Sequence, residues 1–304
     1  MKALVTGIGG FVAPYLAEHL KGRGFEVFGA DKSIKEDKNN FAVDLTDAKR
    51  VYEVIDKVKP DCVFHLAAIS SVKLGDKFPE LAFNVNVNGT KNIMEAVIKS
   101  KIDPKILITS TADVYGIPKK TPLTEEHPLN PISIYAKSKL EQEKIALAYF
   151  KNKNLKVIIS RSFTHTGPKQ HESFVCSDFA KQVAEIEKGK EPVIMVGNLD
   201  VERDFSDVRD IVKAYLLALQ KCKPGEIYNI CSGKAYSIED IVKILVSFSK
   251  KKIEIRQEKE RMRKNDIPIL LGDCSKFKKA TGWKPRIKFE KTLMDVMEYW
   301  RINS

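Results

Sequence analysis

Apolar and polar positions along this chain switch period repeatedly, and each switch marks a change between strand and helix. Lys2–Val5 is a short apolar run. Phe11, Val12, Tyr15, Leu16 and Leu20 then recur at helical spacing, with Pro14 in the first turn, where its missing N–H costs little. Gly22 and Gly24 predict the end of that helix, and Glu26–Ala30 a second strand. Thr46 is placed to cap a helix through Val58, which Lys59-Pro60 stops. Asp61–Ala68 is apolar and β-branched, Asn84–Lys99 reads as a helix, and Lys105–Ser110 as a buried strand. Ile132–Phe150 predicts a long helix and Leu155–Ser160 another strand.

This alternation predicts an α/β fold: a Rossmann-type doubly wound parallel sheet covered by helices on both faces. After about Ser162 the loops lengthen, and Ser237-Ile-Glu-Asp240 reads as a capping box opening a helix over Ile238–Ser249. The expected division is a dinucleotide-binding domain over 1–162 and a smaller α/β substrate lobe over 163–304. Strands near 192–232 are expected to return to the first sheet.

Composition narrows the class. The 304 residues are 43% hydrophobic and 30% charged, as in an ordinary globular protein. No apolar run approaches the roughly 20 residues of a membrane span, and MKALVTGIGG runs straight into a strand and a glycine turn. The five cysteines, Cys62, Cys176, Cys222, Cys231 and Cys274, are widely spaced with no Cys-x-x-Cys pair. That predicts reduced thiols, no metal site and a cytoplasmic location. Net charge is +12, but the lysines are spread along the chain and no nucleic-acid-binding signature accompanies them. A positive field also draws in an anionic diphosphate.

Thr6-Gly7-Ile8-Gly9-Gly10-Phe11 sits between a predicted strand and a predicted helix. In that context the backbone can approach a pyrophosphate and offer it the N–H groups of a helix N-terminus. A plain tight turn would not require the acid that follows about twenty residues on. That acid is Asp31, placed to accept from the adenosine ribose and repel a 2′-phosphate, which favours NAD; Lys32 beside it keeps NADP open. Tyr135 and Lys139 lie four apart on a predicted helix and share a face. A phenol is a poor acid/base near neutrality, and a neighbouring ammonium is expected to lower its pKa. Ser110 and Thr111, at the end of a buried strand, offer hydroxyls to a reacting oxygen.

The motif series resembles that of extended short-chain dehydrogenases. Thr6-Gly7-x-x-Gly10-Phe11, Asp44-Leu45, His65-Leu66-Ala67-Ala68, Asn86-Val87-x-Gly89-Thr90, Ser110-Thr111-x-x-x-Tyr115-Gly116 and Tyr135-x-x-x-Lys139 carry the resemblance across the N-terminal half. It implies Tyr135, Lys139 and Thr111 as catalytic residues. It implies a cofactor held by Gly7, Gly10, Phe11, Val12, Asp31, Lys32, Asp44, Leu45, Leu66, Ala67, Ala68, Tyr135 and Lys139. It also implies a homodimer through the Tyr135 helix, where Ala136, Leu140, Leu147 and Phe150 fall near one face.

The second half is similar to GDP-mannose 4,6-dehydratases and GDP-4-keto-6-deoxy-mannose reductases. The match runs through Arg161–Pro168, Gln170, Phe174-Val175, Asp178-Phe179, Val196–Leu199, Arg203–Asp210 and Arg261-Met262-Arg263 with Asp266-Ile267-Pro268. It implies a GDP-hexose contacted by Thr111, Asp113, Thr164, Val175, Leu199, Arg203, Arg261 and Arg263, with Arg203 and Arg261 on the diphosphate or its ribose. Guanidinium forks suit phosphate oxygens. Thr164 stands where those families have Asn, and Lys169 where they have Gly. The dehydratase base is a Glu at the position of Asp113, which is one methylene shorter and reaches less far. The implied reaction is hydride transfer from NADH or NADPH to the C4 ketone of GDP-4-keto-6-deoxy-D-mannose, giving GDP-D-rhamnose. A dehydratase, a 4-epimerase and a non-catalytic Rossmann sensor are the alternatives, and the intact Tyr/Lys pair argues against the last.

Overall fold

The computed structural model describes residues 1–70, 72–262 and 266–304, with the backbone alone at residues 72 and 73. Its strands are β1 Lys2–Thr6, β2 Glu26–Asp31, β3 Asn40–Ala42, β4 Cys62–His65, β5 Lys105–Thr111, β6 Lys156–Ser162, β7 Thr164–Thr166, β8 Val193–Val196, β9 Glu202–Asp207, β10 Ile227–Ile230, β11 Ala235–Ser237, β12 Glu254–Gln257 and β13 Ile269–Leu270. Its α-helices are α1 Val12–Lys21, α2 Ala48–Val58, α3 Val72–Lys77, α4 Pro79–Phe83, α5 Gly89–Lys99, α6 Ile134–Lys153, α7 Val175–Glu187, α8 Val208–Lys221, α9 Ile238–Ser247, α10 Ser275–Thr281 and α11 Phe289–Asn303.

Seven parallel strands form the large sheet in the order β10-β6-β5-β4-β1-β2-β3. This is the doubly wound Rossmann order with one added edge strand, and it reverses direction between β1 and β4. Alternate side chains of each strand point to opposite faces. Ala3 and Val5 of β1 therefore join a core with α1, α8 and α10 through Leu16, Leu20, Ile211, Tyr215 and Phe277. Leu4 of β1 joins Val63, Ile106 and Ile108 in the opposite core, with Val54, Ile93 and Ala146 from α2, α5 and α6. Each such buried aliphatic side chain contributes about 1.5–3 kcal/mol of transfer free energy.

A smaller lobe joins β11, β9 and β13, with β7 also on β9 and β8 paired to β12. Phe179, Val183, Ile194, Ile241, Leu293 and Met297 form its core. Of the strands between 192 and 232, β10 lies in the large sheet, whereas β8 and β9 build the smaller lobe. Helices α8 and α10 also pack on the large sheet despite lying in the C-terminal half. Sequence order and spatial layer part company there, because the chain recrosses between the lobes.

Local details differ at one cap. Asp47, not Thr46, caps α2, accepting from Lys49 and Arg50 N–H. Thr46 instead donates its hydroxyl to Asp44 at 2.7 Å, a local turn bond that short polar side chains favour. Asn84–Asn88 is a single π-turn ahead of α5. The capping box is present: Asp240 N–H donates to Ser237 Oγ and Ser237 N–H to the Asp240 carboxylate, and the helix stops at Ser247.

Candidate active site

The residues assigned to the cofactor follow the carboxyl ends of four adjacent strands, β4, β1, β2 and β3. Gly7 has φ +73°, and a Cβ there would lie 2.8 Å from the Ala67 backbone nitrogen. Only glycine lets the two loops that flank the direction reversal come this close. At Gly10 a Cβ would crowd the Gly7 carbonyl at 3.1 Å. Helix α1 then opens from Phe11 with no side-chain cap and no acid in its first turn. Its N–H groups and positive dipole end suit a pyrophosphate, so these residues fit a dinucleotide. Phe11 packs edge-on against Tyr15, whose hydroxyl donates to the Pro168 carbonyl at 2.7 Å.

Asp31 closes the turn. Its carboxylate accepts from Gly9 N–H at 3.2 Å and from Ser33 N–H at 2.9 Å. Lys32 is ion-paired to Asp44 at 2.8 Å, which, with the Thr46 bonds, holds the Asp44 carboxyl down at about 2. Leu45 is buried, and Leu66 and Ala67 pack against the two cores. Ala68 follows them directly beyond β4.

A buried relay of hydrogen bonds lies beneath the turn. Thr90 Oγ1 donates its single proton to the Asn86 carbonyl at 2.7 Å, so His65 Nε2, 2.8 Å away, must donate to it. His65 Nδ1 is then an acceptor for the Thr6 hydroxyl at 2.7 Å. Burial and the Lys139 charge push this imidazole down to about 3, which keeps it neutral. Gln142 Nε2 also donates to Thr90 Oγ1, at 2.6 Å. Strands β1 and β4 are thereby tied to α5 and α6. Asn86 continues the link, accepting from Ile69 N–H and donating to Ser138 Oγ, both at 2.8 Å. Sequence reasoning gave His65, Asn86 and Ser138 no individual role, because a buried polar side chain inside an apolar run is identified only by its partners.

Ser133 caps α6, accepting from Ala136 N–H at 3.1 Å. Tyr135 therefore falls in the first turn and Lys139 one turn further in. The Thr111 side chain, at the end of β5, lies beside the Tyr135 phenol and acts to lower its pKa. Burial and the Asp113 charge nonetheless raise Tyr135 above the ordinary phenol range. This departs from the expected lowering by Lys139. Burial takes Lys139 itself down to about 7, with Glu143 pulling the other way, so its ammonium is only partly populated at neutrality. The structure brings Thr111, Asp113 and Tyr135 together, with Lys139 one turn on along α6.

Of the residues expected at the substrate, Thr164, Val175, Leu199, Arg203 and Arg261 belong to the smaller lobe. Ser162 pairs with Thr111 across β6 and β5, and Thr164 lies two residues beyond it. Val175 opens α7, and Arg261 reaches across to the same helix, donating to Asp178 at 2.6 Å. Leu199 lies between β8 and β9, packed against the lobe's core. Arg203 is 13% exposed; it donates to Asp266 at 2.7 Å and to the Ile267 carbonyl at 2.6 Å. Both arginines are thus engaged by carboxylates within the chain, and a phosphate would have to compete for them. Arg263 lies outside the described residues. Lys169, the departure from glycine, has φ +69°.

The sequence profile described as GDP-mannose 4,6 dehydratase matches residues 4–296. The GDP-6-deoxy-D-mannose reductase of Pseudomonas aeruginosa is 34% identical over 79% of this chain and 80% of its own. The GDP-6-deoxy-D-talose 4-dehydrogenase of Aggregatibacter actinomycetemcomitans is 33% identical over 98% of this chain and 97% of its own. The solved structure of RMD from Pseudomonas aeruginosa complexed with NADPH superposes with a TM-score of 0.91 at 30% identity, covering 100% of this chain and 99% of that one. With its doubly wound sheet, glycine turn and Tyr-x-x-x-Lys helix, this chain belongs to the GDP-mannose 4,6-dehydratase family.

Proposed function

We propose that this chain is a nicotinamide-dependent oxidoreductase that reduces the C4 ketone of GDP-4-keto-6-deoxy-D-mannose to GDP-D-rhamnose. The observation that carries the reading is Thr111 beside the Tyr135 phenol, with buried Lys139 one turn on. The likeness to the reductase of Pseudomonas aeruginosa supports it. When bound at the glycine turn, NAD or NADP in its reduced form supplies the hydride.

The chain's own groups do the rest. Tyr135 gives its proton to the C4 oxygen as charge develops there, and its raised pKa keeps that proton in place at neutral pH. Thr111 orients the same oxygen. Lys139 stabilises the resulting phenolate and would hold the cofactor ribose. Arg203 and Arg261 exchange their carboxylate partners for diphosphate oxygens, while Thr164, Val175 and Leu199 line the hexose side.

Asp113, whose charge acts on Tyr135, favours a second reading as a dehydratase, with Asp113 as the base at C5. The experiment is incubation with GDP-mannose alone, and with its 4-keto-6-deoxy derivative plus NADH or NADPH, with products identified by mass and NMR. GDP-rhamnose formed only with reductant is expected. Consumption of GDP-mannose without reductant would replace reductase by dehydratase, and the C4 epimer would assign a talose product.

The dimer belongs to the same reading, on a changed surface. Ala136 is fully buried, and Leu140 and Leu147 pack within the chain. Among the described residues, Phe150 of α6 is exposed, and the exposed apolar groups beside the helix include Leu74 on α3, Phe78, and Leu81 and Phe83 on α4. A second copy of the chain on that face is the proposed partner, and a sedimentation mass of one chain would refute it.

A further inference from the structure

Helix α6 carries one buried acid that the chemistry above does not use. Glu143 lies one turn beyond Lys139 and is 2% exposed. Both of its oxygens are engaged. Oε1 accepts from Ser110 Oγ at 2.5 Å and Arg161 Nε at 3.0 Å, and Oε2 accepts from Arg161 Nη2 at 2.7 Å. Arg161, on β6, is also 2% exposed; its guanidinium lies 5.0 Å from the Tyr115 ring centroid and donates to the Tyr115 hydroxyl at 3.2 Å. Ser110 immediately precedes Thr111. One carboxylate therefore binds the Tyr135 helix to both strands β5 and β6.

A buried ion pair is poor value as a stabiliser, because desolvation offsets most of its attraction and an apolar pair of similar volume serves as well. Here the pair lies next to a third buried charge. Lys139, Glu143 and Arg161 carry two positive charges against one negative. Around them stand neutral His65 from β4, Tyr135 on the same helix, Asp113 and Tyr115 just past β5, and Tyr215 from α8.

We infer that Glu143 is a positioning residue: it holds Ser110, and through it Thr111, in register with Tyr135, and it lends Lys139 the share of negative charge that Arg161 does not take. The inference rests on the Thr111–Tyr135–Lys139 reading. Burial takes Lys139 down to about 7, and Glu143, both of whose oxygens Arg161 binds, offsets only part of that. Removing Glu143's charge and removing Arg161's charge then act on Lys139 with opposite sign. A pair whose charges do not reach Lys139 would leave its midpoint unmoved.

The test is NMR of protein labelled at lysine Cε, titrated between pH 5 and 10, as order-of-magnitude limits around that midpoint of about 7. The signal that titrates near neutrality is assigned by its loss in Lys139→Met. Glu143→Gln is expected to lower this midpoint by about one unit, and Arg161→Met to raise it by about as much. Ser110→Ala, a smaller change that folds where the charge variants do not, removes one donor from Glu143 and is expected to raise the midpoint less. An unmoved midpoint in Ser110→Ala, or shifts of the same sign in the two charge variants, overturns the inference. Midpoints that move as stated, in a protein that does not turn over the keto sugar, sustain the inference and refute the proposed function.

Discussion

The Thr111 side chain lies close enough to the Tyr135 phenol to lower its pKa, at the point where the carboxyl end of β5 meets the first turn of α6. Tyr135→Phe removes the proton donor and is expected to lower kcat about 10²- to 10⁴-fold. Thr111→Val keeps the donor but removes the hydroxyl beside it, with an expected loss of about tenfold. Steady-state rates on the 4-keto sugar check both, and a Tyr135→Phe enzyme within about tenfold of the wild type would end the assignment.

Asp113 raises Tyr135, so Asp113→Asn should lower the phenol's pKa. Reduction needs the protonated phenol. The alkaline limb of the kcat profile should therefore move to lower pH in Asp113→Asn, and an unmoved limb would show that Tyr135 does not set it.

Lys139 offers a test on stability alone. Its folded value of about 7 lies below its ordinary 10.5. Between those values the unfolded chain binds more protons, so this group's contribution to stability rises with pH across that window. Urea melts of wild type and Lys139→Met from pH 6.5 to 9.5, a range of about that window, should show the variant's advantage shrinking as pH rises. A constant difference would contradict the depressed value.

Cofactor preference hangs on two neighbours at the end of β2. Asp31 faces the glycine turn through Gly9, while Lys32 is held by Asp44. Asp31→Asn should raise kcat/KM for NADPH relative to NADH by about tenfold, the size of one like-charge repulsion near a surface. Lys32→Ala should act in the opposite direction and less strongly, since its charge is already paired. Initial rates with both cofactors decide it.

Lys169 holds φ +69°, where an L side chain is strained by about 1–2 kcal/mol. Glycine removes the strain at an entropic cost of about 0.5–1 kcal/mol. Lys169→Gly is therefore expected to stabilise by up to about 1 kcal/mol in urea melts. A destabilised variant would mean that the lysine side chain makes a compensating contact.

The alternation of strands and helices, the glycine turn, Asp31 and the Tyr135/Lys139 pair were all legible along the chain. Each depends on local period, backbone freedom at Gly7, or two residues one helical turn apart. Such features survive in one dimension because their causes lie within a few residues.

What only tertiary structure decided lies in pairings far apart in sequence. Glu143 meets Arg161 across 18 positions and Ser110 across 33. Arg203 meets Asp266 across 63, and Arg261 meets Asp178 across 83. Spacing cannot show whether a guanidinium is open to a phosphate or already bound by a carboxylate. Nor can it show the direction of a pKa shift. Lys139 sits four residues from Tyr135 as its motif requires, yet burial, a property of the whole fold, takes it to about 7 and leaves Tyr135 raised. The sequence determined which groups could do the chemistry, and the packing of β5, β6 and α6 decided their charges, because the cost of burying an ion depends on every neighbour the fold assembles around it.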